Sequence, residues 1–150
     1  MSLENIFTLS DENEIFGRDI SLTYTANNLP DIEIDESGDL KLTNGLAELV
    51  ASQVTMMLIT IYDYMSGQGE LPYHPEFGSA LLTLLMTIEP SEEQIEMLKN
   101  EIFLSIFTHF PDLVEAVEFP YIEFDNVNRT LKIYITIYTV TGSQSMIVVG

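Results

Sequence analysis

The 150 residues carry 24 acidic and 5 basic side chains, a formal net charge of −19, while 46% of the chain is hydrophobic. The length fits one domain spanning 1–150, in which about 70% of the unfolded chain's surface would be buried. The charge opposes nucleic acid and anionic membrane surfaces, both held through Lys and Arg, and the apolar content opposes an acidic disordered tail.

Residues 1–16 read as an N-terminal arm whose acids come too early for a secretory signal. Residues 19–26 alternate as a strand, and 31–42 as a hairpin that turns at Glu36-Ser37-Gly38-Asp39. Leu46, Leu49, Val50, Val54, Met57, Leu58, Ile61 and Met65 predict a long helix over 44–65, capped by Thr43 or Asn44. The glycines and prolines of 66–79 predict a loop, and 80–88 a short buried helix. A second long helix is expected over 91–110, opened by a capping box at Ser91 and ended by Pro111. Its buried stripe is Ile95, Leu98, Ile102, Ile106 and Phe110.

Strands follow at 120–125 and 130–141 around a turn at 126–129, then a turn at 142–145 and a C-terminal strand within 142–150. The expected class is α+β: two long helices and a short one on a small mixed or antiparallel sheet, with a C-terminal β-hairpin. Charge is uneven along the chain. Residues 1–40 hold ten acids and one cation, Arg18, whereas 129–150 hold no acid. The two ends are expected to meet different surroundings.

With no cysteine, disulfide frameworks, thiolate nucleophiles and Cys zinc sites are excluded. The longest apolar run, 54–62, is broken by Thr60 and falls short of the ~18 residues of a membrane span. A reducing, soluble compartment is expected. Glu70 and Glu76, in the loop, are the carboxylates a glycosidase reading would use. Nothing in their spacing fixes a distance, and local backbone or side-chain pairing is the plainer expectation. His74 with Glu76 lacks a third metal ligand, and 35–39 lacks the spacing of a calcium loop, so no metal and no cofactor are expected. Met56-Met57 with Tyr62 and Tyr64 reads as core or as an adaptable groove. The nearly uncharged 130–149 segment reads either as part of the domain's own sheet or as a strand shared with another chain.

Gly69-Glu70 and Pro75-Glu76-Phe77-Gly78, preceded by Ser66, resemble the mark of the short baseplate-wedge family of contractile phage tails. That family is sometimes labelled tail lysozyme-like and is related to a type VI secretion baseplate component. Its mark is a helix ending in Thr-x-x-Gly-Glu followed by a Pro-x-x-Gly loop. Gly17-Arg18-Asp19-Ile20 resembles its early Asp-Ile strand, and the order of elements agrees over about 17–141. Many members carry Glu-Pro-Arg after the second long helix to contact neighbouring wedge proteins. Phe110-Pro111-Asp112 keeps only the proline.

The resemblance implies a structural subunit in a virion tail baseplate, made in the host cytoplasm and present in several copies; the lysozyme label implies an enzyme, but no glycosidase site follows from these residues, and no enzyme is expected. It would contact other wedge proteins and the tail sheath protein. Gly69, Glu70, Pro75, Glu76, Phe77, Gly78 and Pro111 would serve structure or partner contact. Tyr134, Thr136, Tyr138, Met146, Ile147 and Val148 would form the sheath-contact strand. The alternatives are a peptidoglycan-degrading tail lysozyme using Glu70 and Glu76, and a soluble adaptor of the same fold.

Overall fold

The computed structural model describes residues 8–26, 29–87, 91–125, 127 and 129–149. It is an α+β protein. Helix α1 (Leu9–Phe16) precedes β1 (Leu22–Tyr24) and β2 (Pro30–Ile32). Helix α2 (Leu46–Ile59) leads to the short strands β3 (Tyr62–Asp63) and β4 (Gln68–Gly69). Then come α3 (Leu81–Thr87), α4 (Glu92–His109), β5 (Val114–Asp125), β6 (Thr130–Thr139) and β7 (Ser143–Val149). The last three strands form an antiparallel meander in the order β5-β6-β7.

Alternation builds that meander. Leu131, Ile133, Ile135 and Ile137 of β6 are buried on one face, beside Met146 and Val148 of β7. Helix α2 is apolar nearly all round, as a helix enclosed on most sides must be. Its Leu46, Val50, Val54, Met57 and Leu58 share one core with the sheet and with Leu98, Ile102 and Ile106 of α4.

Helix α1 lies within the segment read as an N-terminal arm, whose residues 1–7 lie outside the described residues. Thr8 and Asp11 cap its start reciprocally, through Asp11 N–H to Thr8 Oγ1 (3.2 Å) and Thr8 N–H to Asp11 Oδ2 (3.1 Å). The α1 side chains in turn cap α2. Neither Thr43 nor Asn44 caps that helix. The cap position is Gly45 at φ 92°, with no capping side chain of its own. Instead Asn13 Oδ1 accepts the Gly45 N–H (2.8 Å) and buried Glu12 Oε1 accepts the Leu46 N–H (3.1 Å). A carboxylate at that end also suits the helix dipole.

Helix α2 stops at Thr60, short of the expected 65, because the next backbone groups are recruited by the loop. The Ile61 N–H goes to the Glu70 carboxylate and its carbonyl accepts the Glu70 N–H. Ile61 and Met65, expected on the buried stripe, are exposed instead, Met65 at 98%. The expected turn at 142–145 sits earlier: Thr139 N–H donates to the Gly142 carbonyl (2.7 Å), and 143–145 are already β7. Strand β5 begins at 114 rather than 120, running through Pro120 at a register irregularity. Pro is tolerated there because β5 is an edge strand. Residues 126, 128 and 150, in the turn and tail read from sequence, and residue 88 of the expected short helix lie outside the described residues.

Candidate functional site

The loop between α2 and α3 is a clamp built on close backbone approaches. A Cβ on Gly69 would lie 2.7 Å from the Phe77 carbonyl oxygen and 2.9 Å from that of Pro75. One on Gly78, at φ +135°, would lie 2.8 Å from the Thr60 oxygen. Only glycine fits either place. These contacts bring together Gly69, Pro75, Phe77 and Gly78 of the sequence motif, and the Glu70 carboxylate joins them by accepting the Ile61 N–H at 2.9 Å. Glu76 is solvent-exposed, 3.9 Å from His74 Nδ1, itself exposed. Among the described residues no three His, Cys, Asp or Glu side chains converge as a metal site.

Helix α4 fastens this loop through two residues the sequence reading did not single out. Glu101, 9% exposed, accepts on one carboxylate oxygen from Tyr64 Oη (2.9 Å), the Ala80 N–H (2.9 Å) and Ser105 Oγ (3.1 Å). Burial and then the Glu101 carboxylate push the Tyr64 hydroxyl above its ordinary pKa. His109 reaches the Ser105 carbonyl with Nδ1 (2.9 Å) and the Glu76 carbonyl with Nε2 (3.2 Å). Carbonyls only accept, so a neutral ring donates to one of them and an imidazolium to both. Phe77 stands edge-on to the His109 ring at 5.7 Å. The signal for Glu101 was present in the sequence as a carboxylate on the stripe Leu98, Ile102, Ser105, Ile106.

Phe77 packs on the core without filling the space between the helices. Together with Met56, Ile59, Leu71 and Phe110 it lines an apolar cleft of about 500 Å³, with Asp19, Gln53 and Thr60 at its polar side. Pro111 follows Phe110 and is exposed. Neither Glu70 nor Glu76 lines this cleft. Met56 lines it and Met57 is core, so the two methionines divide between the groove and core readings.

The expected contact strand resolves into three surfaces. Met146 and Val148, each 2% exposed, fill the protein's own core and offer no side chain to a partner. Tyr134, Thr136 and Tyr138 lie on the outer sheet face, against Tyr121, Ser145 and Glu118 respectively. The Glu118 hydrogen bond pushes the Tyr138 hydroxyl above its ordinary pKa. The third surface is the outer edge of β7. The Ile147 N–H turns away from β6 and donates to Tyr24 Oη (3.1 Å). By strand alternation the Ser145 N–H faces the same way. Ser143, Gln144 and Ser145 are exposed and are themselves neither charged nor proline, and Tyr24 of β1 and Glu48 of α2 line a shallow pocket beside Gln144 and Ser145. A search of protein-family models and curated proteins gives no match.

Proposed function

We propose that this protein is a structural, non-enzymatic subunit of a contractile-tail baseplate, contacting wedge proteins and initiating the sheath through its C-terminal sheet. The observation that carries this reading is the outer edge of β7, where Ser143, Gln144 and Ser145 are exposed and neither charged nor proline. Natural edge strands carry charges or prolines against unwanted pairing; an edge without them suits addition of a partner's strand. The loop's likeness to the baseplate-wedge motif supports the same reading. So does the local use of the two suspect carboxylates, Glu70 on a backbone N–H and Glu76 beside His74.

Truncating 143–150 would remove Met146 and Val148 from the core, so the cleaner perturbation is Ser145→Pro. It deletes one outward N–H and leaves the β6–β7 ladder bonds in place. In a strain that assembles the tails, loss of the chain should yield tubes without sheath. Ser145→Pro should fold yet fail to restore sheath. Normal sheath in the absence of the chain would refute the reading; full restoration by Ser145→Pro would refute the role of the edge.

A further inference from the structure

The chain holds a single Asn-Gly step, Asn44-Gly45, directly ahead of α2. Such a step is chemically reactive, because a glycine has no side chain to keep its backbone nitrogen from closing on the asparagine Cγ. The nitrogen gives up its proton and bonds to Cγ, the side-chain nitrogen leaves as ammonia, and a cyclic succinimide remains. Water then opens the ring at one carbonyl to give aspartate, or at the other to give isoaspartate, whose main chain carries an extra carbon. The fold holds the glycine in place. Gly45 sits at φ 92°, a region that side chains disfavour, and a Cβ there would lie 2.7 Å from Leu9 Cδ2.

Both reacting groups are held by one side chain. Asn13 Oδ1 accepts the Gly45 N–H at 2.8 Å, and Asn13 Nδ2 donates to Asn44 Oδ1 at 2.9 Å. A backbone N–H only donates, which turns the Asn13 oxygen toward Gly45 and its amino group toward Asn44, and so fixes the Asn44 oxygen toward Asn13. The proton that the nucleophile must lose is engaged, and the Asn44 amide is tied to α1 and not released to meet the nitrogen that follows it. Asn44 itself is exposed, so water for the ring opening is at hand. Either product puts a new carboxylate into a pocket already lined by Glu12 and Glu48, where like charges oppose one another. Isoaspartate also displaces the main chain just ahead of the amides that Glu12 and Asn13 hold.

We propose that Asn44 is a site of spontaneous deamidation and isoaspartate formation, and that Asn13 suppresses the reaction while α1 is in place. The reactive form is the one in which local opening has released Asn44 and Gly45 from Asn13. The inference is independent of the baseplate reading and of the β7 edge, and its test needs no assembled particle.

The full chain is incubated in mildly alkaline buffer; peptide mapping by mass spectrometry locates deamidation, and enzymatic carboxyl methylation reads isoaspartate. A free peptide of residues 40–48 sets the unshielded rate. Asn44 in the folded chain should react at least about tenfold more slowly than in the peptide. Asn13→Ala removes both hydrogen bonds while keeping a good helix former in α1, and should speed the reaction at Asn44 by about tenfold. Gly69→Ala, a disturbance in the loop between α2 and α3, should not. If Asn13→Ala fails to fold, Thr8→Ala carries the test: it weakens the start of α1 without touching Asn13 and should speed the reaction too. A wild type that deamidates as fast as the peptide overturns the inference. So does an unchanged rate in folded Asn13→Ala, or in Thr8→Ala where that variant stands in, or equal acceleration by Gly69→Ala.

Discussion

Replacing Glu101 with alanine should destabilise this protein more than any exposed substitution in the loop it holds. The carboxylate loses three donors at once, of which Tyr64 is 56% exposed and can turn to water. The Ala80 N–H and the Ser105 hydroxyl, the latter on a residue 2% exposed, cannot follow it. A hydrogen bond to a charged group contributes about 1.5–3 kcal/mol, so two lost bonds imply about 3–6 kcal/mol. Alanine also relieves the desolvation of a buried carboxylate. Three convergent donors on one oxygen have already offset that penalty, and leaving them unpaired is the larger effect. At about 2–4 °C per kcal/mol for a chain of this size, the melting temperature should fall by roughly 6–24 °C. Glu101→Gln keeps an acceptor oxygen in place and loses only the charge assistance, about 1–2 kcal/mol. Thermal unfolding followed by circular dichroism compares the two variants directly. An alanine variant that melts with the wild type, or a glutamine variant as damaged as the alanine one, would refute the account of Glu101 as the anchor of the loop.

Gly69→Ala drives a methyl group into two backbone carbonyls, so it should destabilise by about 1–3 kcal/mol or more, read by the same melts; an unchanged midpoint would mean the loop backbone yields freely. The Asp35 carboxyl is held below its ordinary pKa by the Ser37 hydroxyl first and then by the Asp39 N–H. A depressed folded value stabilises above the unfolded pKa and is lost as pH falls through the folded one, so the 35–39 turn should loosen only in acid, below the ordinary aspartate range. Carboxyl NMR of Ser37→Ala should show the Asp35 midpoint moving upward; a midpoint that stays put would leave the hydroxyl without influence.

Periodicity made α4 and β6 legible, because each buries one continuous stripe against a core that follows the same spacing. It misled at the end of α2, where Ile61 and Met65 keep the helical spacing but the backbone is drawn away by Glu70, a competition that spacing does not register. Polarity misled at 143–145: serine and glutamine are turn formers, yet they are equally at home on a solvent-facing edge strand. Helix α1 was missed because its partner for Glu12 and Asn13 is the start of another helix, more than thirty residues away. The loop was legible through its glycines, whose close approaches have a residue-level signature. Its anchor was legible only in part: a carboxylate on the buried stripe of α4 marks Glu101 as unusual, but what it and His109 hold emerges only once α4 is laid beside the loop.

The borrowed cap of α2 has a consequence for the order in which the chain acquires structure. A helix whose first amides wait for Glu12 and Asn13 is incomplete until α1 arrives, and α1, only eight residues long, is too short to persist alone. Each therefore depends on the other. The amides of Gly45 and Leu46 should exchange with solvent in step with the opening of α1, as one cooperative unit, while the middle of α2, enclosed by the sheet and α4, exchanges only with global unfolding. The N-terminal segment thus acts as a latch on the central helix, and a partner that pulled α1 away would loosen the first turn of α2 without dismantling the core.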